Sequence, residues 1–230
     1  RIGASLEKKR LRDQQKELVR RFATREVAED LDASGFALGG RRVEATVMFS
    51  DIRGFTTMAE AMAPEETIEL LNTYYTLMFD AISGHGGGVN QMIGDGLMAI
   101  FGAPLVLADP CGSAVRAAQE MQEMVALFNL EPDRAGKPAI QIGVGIASGS
   151  VIAGYTGTDQ RATYTCVGDT VNLAARLEAH TKTAERAILI DGPTQAALGV
   201  DFDTEPMGQV LFKGKTATVE VFALSKDRVA

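Results

Sequence analysis

Hydrophobic and polar positions change their period several times along the chain, and the changes mark out its elements. Residues 4–32 are dense in Glu, Lys, Arg, Gln and Leu, with no Pro and no Gly, which predicts a long charged helix. Leu11, Leu18 and Arg25 fall at heptad spacing, Phe22 and Val27 widen the stripe, and Gln14 and Gln15 interrupt it. Such a helix either packs on its own domain or pairs with a second chain, and the narrow seam favours pairing. Residues 33–41 read as a linker. From Arg42 to Phe49 the pattern turns β-rich and runs into Ser50-Asp51-Ile52-Arg53-Gly54, which puts Asp51 at the C-terminal end of a strand.

Pro64-Glu65-Glu66 opens a helix whose apolar face is Ile68, Leu71, Tyr75, Met78, Phe79 and Ile82. Gly84 and Gly86-Gly87-Gly88 stop it. The runs Val89–Ile93 and Leu97–Phe101 flank Asp95-Gly96, a hairpin signal whose two turn positions call for φ > 0. Asp95 is thus expected at the hairpin tip. A helix follows from Asp109-Pro110 to about Phe128, then a strand Ile140–Ala147, a turn at Ser148-Gly149-Ser150 and a strand Val151–Tyr155. Tyr164–Thr170 leads into a helix from Val171 to His180, with Asp169 or Thr170 as its N-cap. The strand Ile188–Ile190, the short helix Pro193–Leu198 and the closing strands Phe202–Lys213 and Val219–Leu224 complete the chain. The order βαββαβ predicts an α+β, ferredoxin-like core with one helix-covered sheet face and the other free. Two domains result: residues 1–41, an N-terminal helix and linker, and residues 42–230, the globular body.

Composition narrows the chemistry. No apolar run approaches the roughly 18 residues that a membrane-spanning helix needs. Cys111 and Cys166 lie far apart without CxxC spacing, and His85 and His180 are the sole histidines, so zinc and Ser-His-Asp chemistry have little to build on. The cysteine usage suits a reducing, cytoplasmic setting. Charge is uneven: residues 1–42 hold 11 Lys+Arg against 7 Asp+Glu, and the remainder 12 against 23. The acidic body is not that of a nucleic-acid binder, whereas the basic head is either a solvated helix or a segment lying near anionic lipid. The start at Arg1, without initiator Met or signal peptide, is expected of a piece cut from something longer.

Asp51 and Asp95 end neighbouring strands, where two carboxylates can hold Mg²⁺ with positions left open for water and phosphate. Asn172 and Arg176 are four apart near a helix start, so they share a face on which an amide and a guanidinium fork can meet ribose or phosphate. Lys213 and Lys215 add positive charge. Together these suggest a triphosphate bound to metal on one side and to Asn/Arg on the other.

Four segments, Phe49–Thr56 (FSDIRGFT), Ile93–Gly96 (IGDG), Val167–Glu178 (VGDTVNLAARLE) and Phe212–Lys215 (FKGK), closely resemble the class III nucleotidyl cyclase catalytic domain over about residues 42–224. The resemblance implies conversion of a nucleoside triphosphate to a 3′,5′-cyclic monophosphate and pyrophosphate. It implies that Asp51, Asp95 and the Ile52 carbonyl hold two Mg²⁺ or Mn²⁺ ions, that Asn172 orients the ribose and that Arg176 stabilises the α-phosphate. Backbone amides around Phe55 and Thr56, with Lys213, would neutralise the outer phosphates. It also implies a head-to-tail C2 homodimer with shared sites, controlled by an N-terminal transducer helix below an upstream membrane or sensor domain. The position where adenylate cyclases commonly carry Lys is Gln91, and its partner position is Thr165. Gln91 matches neither that Lys nor the Glu common in guanylate cyclases, whereas Thr165 fits the adenylate pattern. Thr165 and the bacterial form of the motifs point to ATP as substrate, with guanylate or mixed use, or a silent nucleotide-binding domain, as alternatives. Some members bring an Arg to the phosphates from the strand Ile140–Ala147; Gly143 stands about where it would be.

Overall fold

The computed structural model describes residues 38–134, 136–158 and 161–225, with Val27, Glu29, Asp30 and Ala33. The expected long helix and its heptad positions Leu11, Leu18, Phe22 and Arg25 lie outside the described residues. Val27, Glu29, Asp30 and Ala33 are helical.

A long antiparallel pair forms the spine. Strand β1 (Gly39–Ile52) runs against β4 (Ile142–Thr158), in register from Gly39 opposite Tyr155 to Ile52 opposite Ile142. The strand therefore begins three residues earlier than expected, taking Gly39, Gly40 and Arg41 from the linker. β2 (Gly88–Ile93) and β3 (Gly96–Phe101) form a hairpin whose β3 pairs with β1, and β6 (Ile188–Asp191) joins β4 in parallel. β8 (Val219–Leu224) and β7 (Thr204–Val210) complete the order β2-β3-β1-β4-β6-β8-β7. The first four strands and their crossover helices make the βαββαβ unit anticipated from the chain order.

Residues 142–158 form one strand rather than two strands about a turn; it runs unbroken through Gly149, whose φ is 156°. Its first half pairs with β6, and its second half pairs with β5 (Arg161–Val167). Side chains of β2 reach the β4–β5 arm, as described below.

Helices cover both sheet faces. On one lie α2 (Pro64–Gly84) and α3 (Pro110–Asn129), which enclose Met48, Ile52, Tyr74, Met78, Phe101, Met121 and Ile146. The buried stripe of α2 is Leu70, Tyr74, Met78, Ala81 and Ile82; Ile68, expected inside, is exposed, and Leu71, Tyr75 and Phe79 are half-buried. The second face, expected to be open, carries α4 (Asp169–Ala184), which packs Leu173, Ala174 and Leu177 against Val47, Ala147 and Leu189. Glycines on β4 permit this. A Cβ on Gly145 would lie 2.1 Å from the Glu178 amide nitrogen and 2.4 Å from the Ala174 carbonyl oxygen, so the helix backbone rests directly on the strand. Burial on both faces is why Ala45–Met48 is a continuous buried run. Two short helices, α1 (Phe55–Glu60) and α5 (Gly192–Ala197), flank the sheet. None of the helices in the described residues is long and apolar enough to cross a membrane.

Candidate active site at the end of strand β1

Asp51 and Asp95 meet as the hydrophobic pattern predicts, though the turn differs by one residue. Ile93 pairs with Gly96, so the two-residue loop is Gly94-Asp95, and its positive φ (63°) belongs to Gly94. A turn with glycine first needs φ > 0 only there, which leaves Asp95 in ordinary backbone. The Tyr75 hydroxyl donates to the Gly94 carbonyl and fixes the tip. Asp95 Oδ2 accepts from the Ile52 amide at 3.1 Å, joining the turn to the end of β1.

Electrostatics set this pair apart. Burial raises the Asp95 carboxyl above its usual range; its own amide and that of Ile52 oppose the rise, and the neighbouring Asp51 charge adds to it. Asp51 Oδ1 is buried without a hydrogen-bond partner. Two close carboxylates, one of them with an orphaned oxygen, are a donor set suited to a hard divalent cation. Among the described residues there is no cluster of three or more His, Cys, Asp or Glu side chains placed to hold a metal, so the pair would rely on backbone, substrate and water for its other ligands.

Glu178, a residue that sequence reasoning did not single out, stands behind Asp51. It is 9% exposed and its carboxyl lies beside the Asp51 side chain. Burial first, and then Asp51, push its pKa up to about 8, while Lys182 and Arg53 pull the other way. Burial beside a second carboxylate thus favours the protonated form of Glu178. A signal for it is present in the sequence: Glu178 extends the buried stripe of α4 formed by Leu173, Ala174 and Leu177, where an acidic side chain needs a reason.

Arg53 is held in the same cluster: its NH2 donates to the Arg186 carbonyl at 2.6 Å. Burial lowers its pKa, opposed by Glu178 and Asp51. Gly143 also abuts this cluster. A Cβ there would lie 2.5 Å from Thr181 Oγ1 and 2.9 Å from Glu178 Oε1, so α4 leaves no space for a side chain at that position.

The other sequence-derived residues fall into two further groups. On the outer side of α4, Asn172 is exposed and Arg176 half-buried, and the Phe212–Lys215 turn packs beside them. A Cβ on Gly214 would lie 3.4 Å from Arg176 NH2. Phe212 is buried with His180 edge-on at 5.6 Å, and Lys213 is exposed. The expected N-cap role of Asp169 or Thr170 is not seen: Gly168 occupies the cap without a side-chain bond, Asp169 pairs with Lys215, and Thr170 donates to the Ser150 carbonyl. In the third group Gln91 Nε2 donates to Thr165 Oγ1 at 3.3 Å. Phe55 packs on the first core cluster and Thr56 is exposed, both at the start of α1 beside Asp51 in sequence.

Within one chain these groups do not converge. Glu178 points inward to Asp51, and at about 100° per residue Arg176 and Asn172 lie roughly 160° and 120° away around the helix. The helix separates its own aspartates from its own amide and guanidinium.

The chain belongs to the adenylate and guanylate cyclase catalytic domain family, which it matches over residues 40–226. It is 33% identical over 187 residues to Adenylate cyclase 1 of Rhizobium meliloti (strain 1021), covering 80% of this chain and 28% of that protein. It therefore spans less than a third of that relative's length. Among solved structures it is similar to the guanylyl cyclase Cya2, with 33% identity and a TM-score of 0.75 over 83% of this chain and 95% of that one. It is similar to much the same degree to the adenylyl cyclase CyaB from P. aeruginosa, with 31% identity and a TM-score of 0.76 over 83% and 98%.

Proposed function

We propose that this chain is an adenylate cyclase domain that converts ATP to 3′,5′-cyclic AMP and pyrophosphate as a head-to-tail homodimer. The observation that carries the reading is the division of labour across α4: Asp51 faces one side, through Glu178, and Asn172 and Arg176 face the other. A second copy related by a two-fold axis can bring its outer α4 face to the first copy's aspartates, giving two equivalent sites.

In that site Asp51, Asp95 and the Ile52 carbonyl would hold two Mg²⁺ or Mn²⁺ ions. Bound there, the ions lower the pKa of the ribose 3′-hydroxyl and neutralise the phosphates. Asn172 holds the ribose so that its 3′-oxygen lies in line with the bond from the α-phosphorus to the leaving pyrophosphate. Arg176 donates to the α-phosphate oxygens where charge accumulates. The first amides of α1, at Phe55 and Thr56, and the Lys213 ammonium bind the outer phosphates.

Base choice is read at Gln91 and Thr165. With Nε2 given to Thr165, the Gln91 oxygen remains an acceptor and the Thr165 hydroxyl proton remains a donor. An acceptor and a donor match the 6-amino group and N1 of adenine; guanine presents an oxo group and an N–H there instead. One further contact suggests how an upstream segment could act: the Tyr155 hydroxyl donates to Asp30 at 3.0 Å, joining the helical residues before β1 to the β4–β5 arm. We place the domain in the cytoplasm, below an upstream membrane or sensor domain; the two free, buried cysteines support the reducing compartment.

The test is turnover of ATP and of GTP with Mg²⁺ or Mn²⁺, with the cyclic product identified. Cyclic AMP formed in preference to cyclic GMP supports the reading. The reverse preference assigns a guanylate cyclase, and no turnover of either leaves a silent nucleotide-binding domain.

A further inference from the structure

Asn90 bridges two strands that share no ladder. β2 pairs with β3 and β5 with β4, so backbone hydrogen bonds do not fix Gln91 against Thr165. The β2–β3 register slips between Val89 and Gln91, which makes Asn90 the extra residue of a β-bulge. A bulge re-aims a side chain out of the normal alternation. Asn90 uses this freedom to reach across, and its Nδ2 donates to the Tyr164 carbonyl.

The neighbours of this contact matter. Asn90 immediately precedes Gln91, and Tyr164 immediately precedes Thr165. The two hydrogen bonds are therefore successive rungs between β2 and β5. Tyr164 is a firm anchor: it is buried, and Tyr155 holds its ring edge-on at 5.2 Å. Asn90 Oδ1 is buried with no hydrogen-bond partner, an unfavourable arrangement that the Nδ2 contact must outweigh.

We propose that Asn90 is a specificity-positioning residue, whose bond to the Tyr164 carbonyl sets the spacing at which Gln91 and Thr165 meet the purine edge. The inference rests on the reading of Gln91 and Thr165 as the base-contacting pair. Without the upper rung the β4–β5 arm drifts from β2, and the pair loses its fixed geometry. The correct base then loses more binding than the wrong one, because only the correct base makes both hydrogen bonds. The aspartates, Asn172 and Arg176 are not touched.

The experiment compares Asn90→Ala and Gln91→Lys with the unaltered protein, measuring kcat and KM for ATP and GTP beside the thermal unfolding midpoint. For Asn90→Ala the expected result is a higher KM for ATP, a kcat within about twofold, and an ATP-over-GTP preference in kcat/KM reduced about tenfold. Gln91→Lys is expected to change the same preference. If Gln91→Lys shifts the preference and Asn90→Ala does not, the Asn90 inference is overturned while the base-pair reading stands. If Gln91→Lys leaves it unchanged, the base-pair reading itself falls, and the inference with it. Equal losses for both nucleotides in Asn90→Ala would show a purely structural role and also overturn it. Should Asn90→Ala fail to fold, Asn90→Ser enters the same comparison, its shorter arm expected to lose the rung and the preference alike.

Discussion

The Ile52 amide donates to Asp95 Oδ2 at 3.1 Å, so the end of β1 and the β2–β3 turn hold each other directly. A carboxylate that organises a turn and also serves as a cation ligand should show two separable losses. Asp95→Ala is expected to lower stability by about 1 kcal/mol, the net worth of one hydrogen bond. It should also reduce metal-dependent turnover by roughly a hundredfold or more. Denaturant unfolding and Mn²⁺-dependent cyclisation measure the two effects. Turnover near the unaltered level would exclude Asp95 from the metal site.

Glu178 makes stability depend on pH in a direction opposite to that of a salt-bridged carboxylate. Its folded pKa, about 8, lies above the ordinary value of 4.5. The unfolded chain therefore releases this proton first as pH rises, and the folded state loses relative stability between those two values. The stabilising contribution is complete below about pH 4.5 and gone above about pH 8. Chemical unfolding of the metal-free protein across that range should show this decline, and Glu178→Gln, which cannot ionise, should flatten it. An unchanged slope in the Gln variant would remove Glu178 from the account.

Close packing of α4 gives a third expectation. Gly145→Ala drives a methyl group into the helix backbone at Glu178 and Ala174. The cost should be about 1–3 kcal/mol, read from denaturant midpoints. Because Glu178 is displaced with the helix, turnover should fall as well. A neutral substitution would mean that the helix stands off the sheet.

The candidate catalytic residues are legible because they sit in local signals: Asp51 at a strand end, Asp95 beside a glycine turn, Asn172 and Arg176 one helical turn apart. The βαββαβ order follows from alternating periods in the same way. What escapes depends on contacts distant in sequence. Gly143 and Gly145 look like weak points in a strand until α4 is seen lying on them. The second sheet face reads as free because a helix's period states that it has an apolar side, not which sheet receives it. Gly149 reads as a turn, yet it lies inside a continuous strand whose pairing with β1 runs on past it. α1 is too short for a periodic pattern to reveal it. The turn is Gly94-Asp95 rather than Asp95-Gly96, a one-residue shift of frame, because a glycine stands on either side of Asp95.

The proposed enzyme draws each site's aspartates from one chain and its amide and guanidinium from another. Mixing Asp51→Ala chains with Asn172→Ala chains tests this most directly, with cyclic nucleotide formation as the readout. Each variant alone should be inactive, and the mixture should recover activity through the one intact site of the mixed dimer. A mixture as inactive as its components, with mixed dimers shown to form, would contradict the shared site.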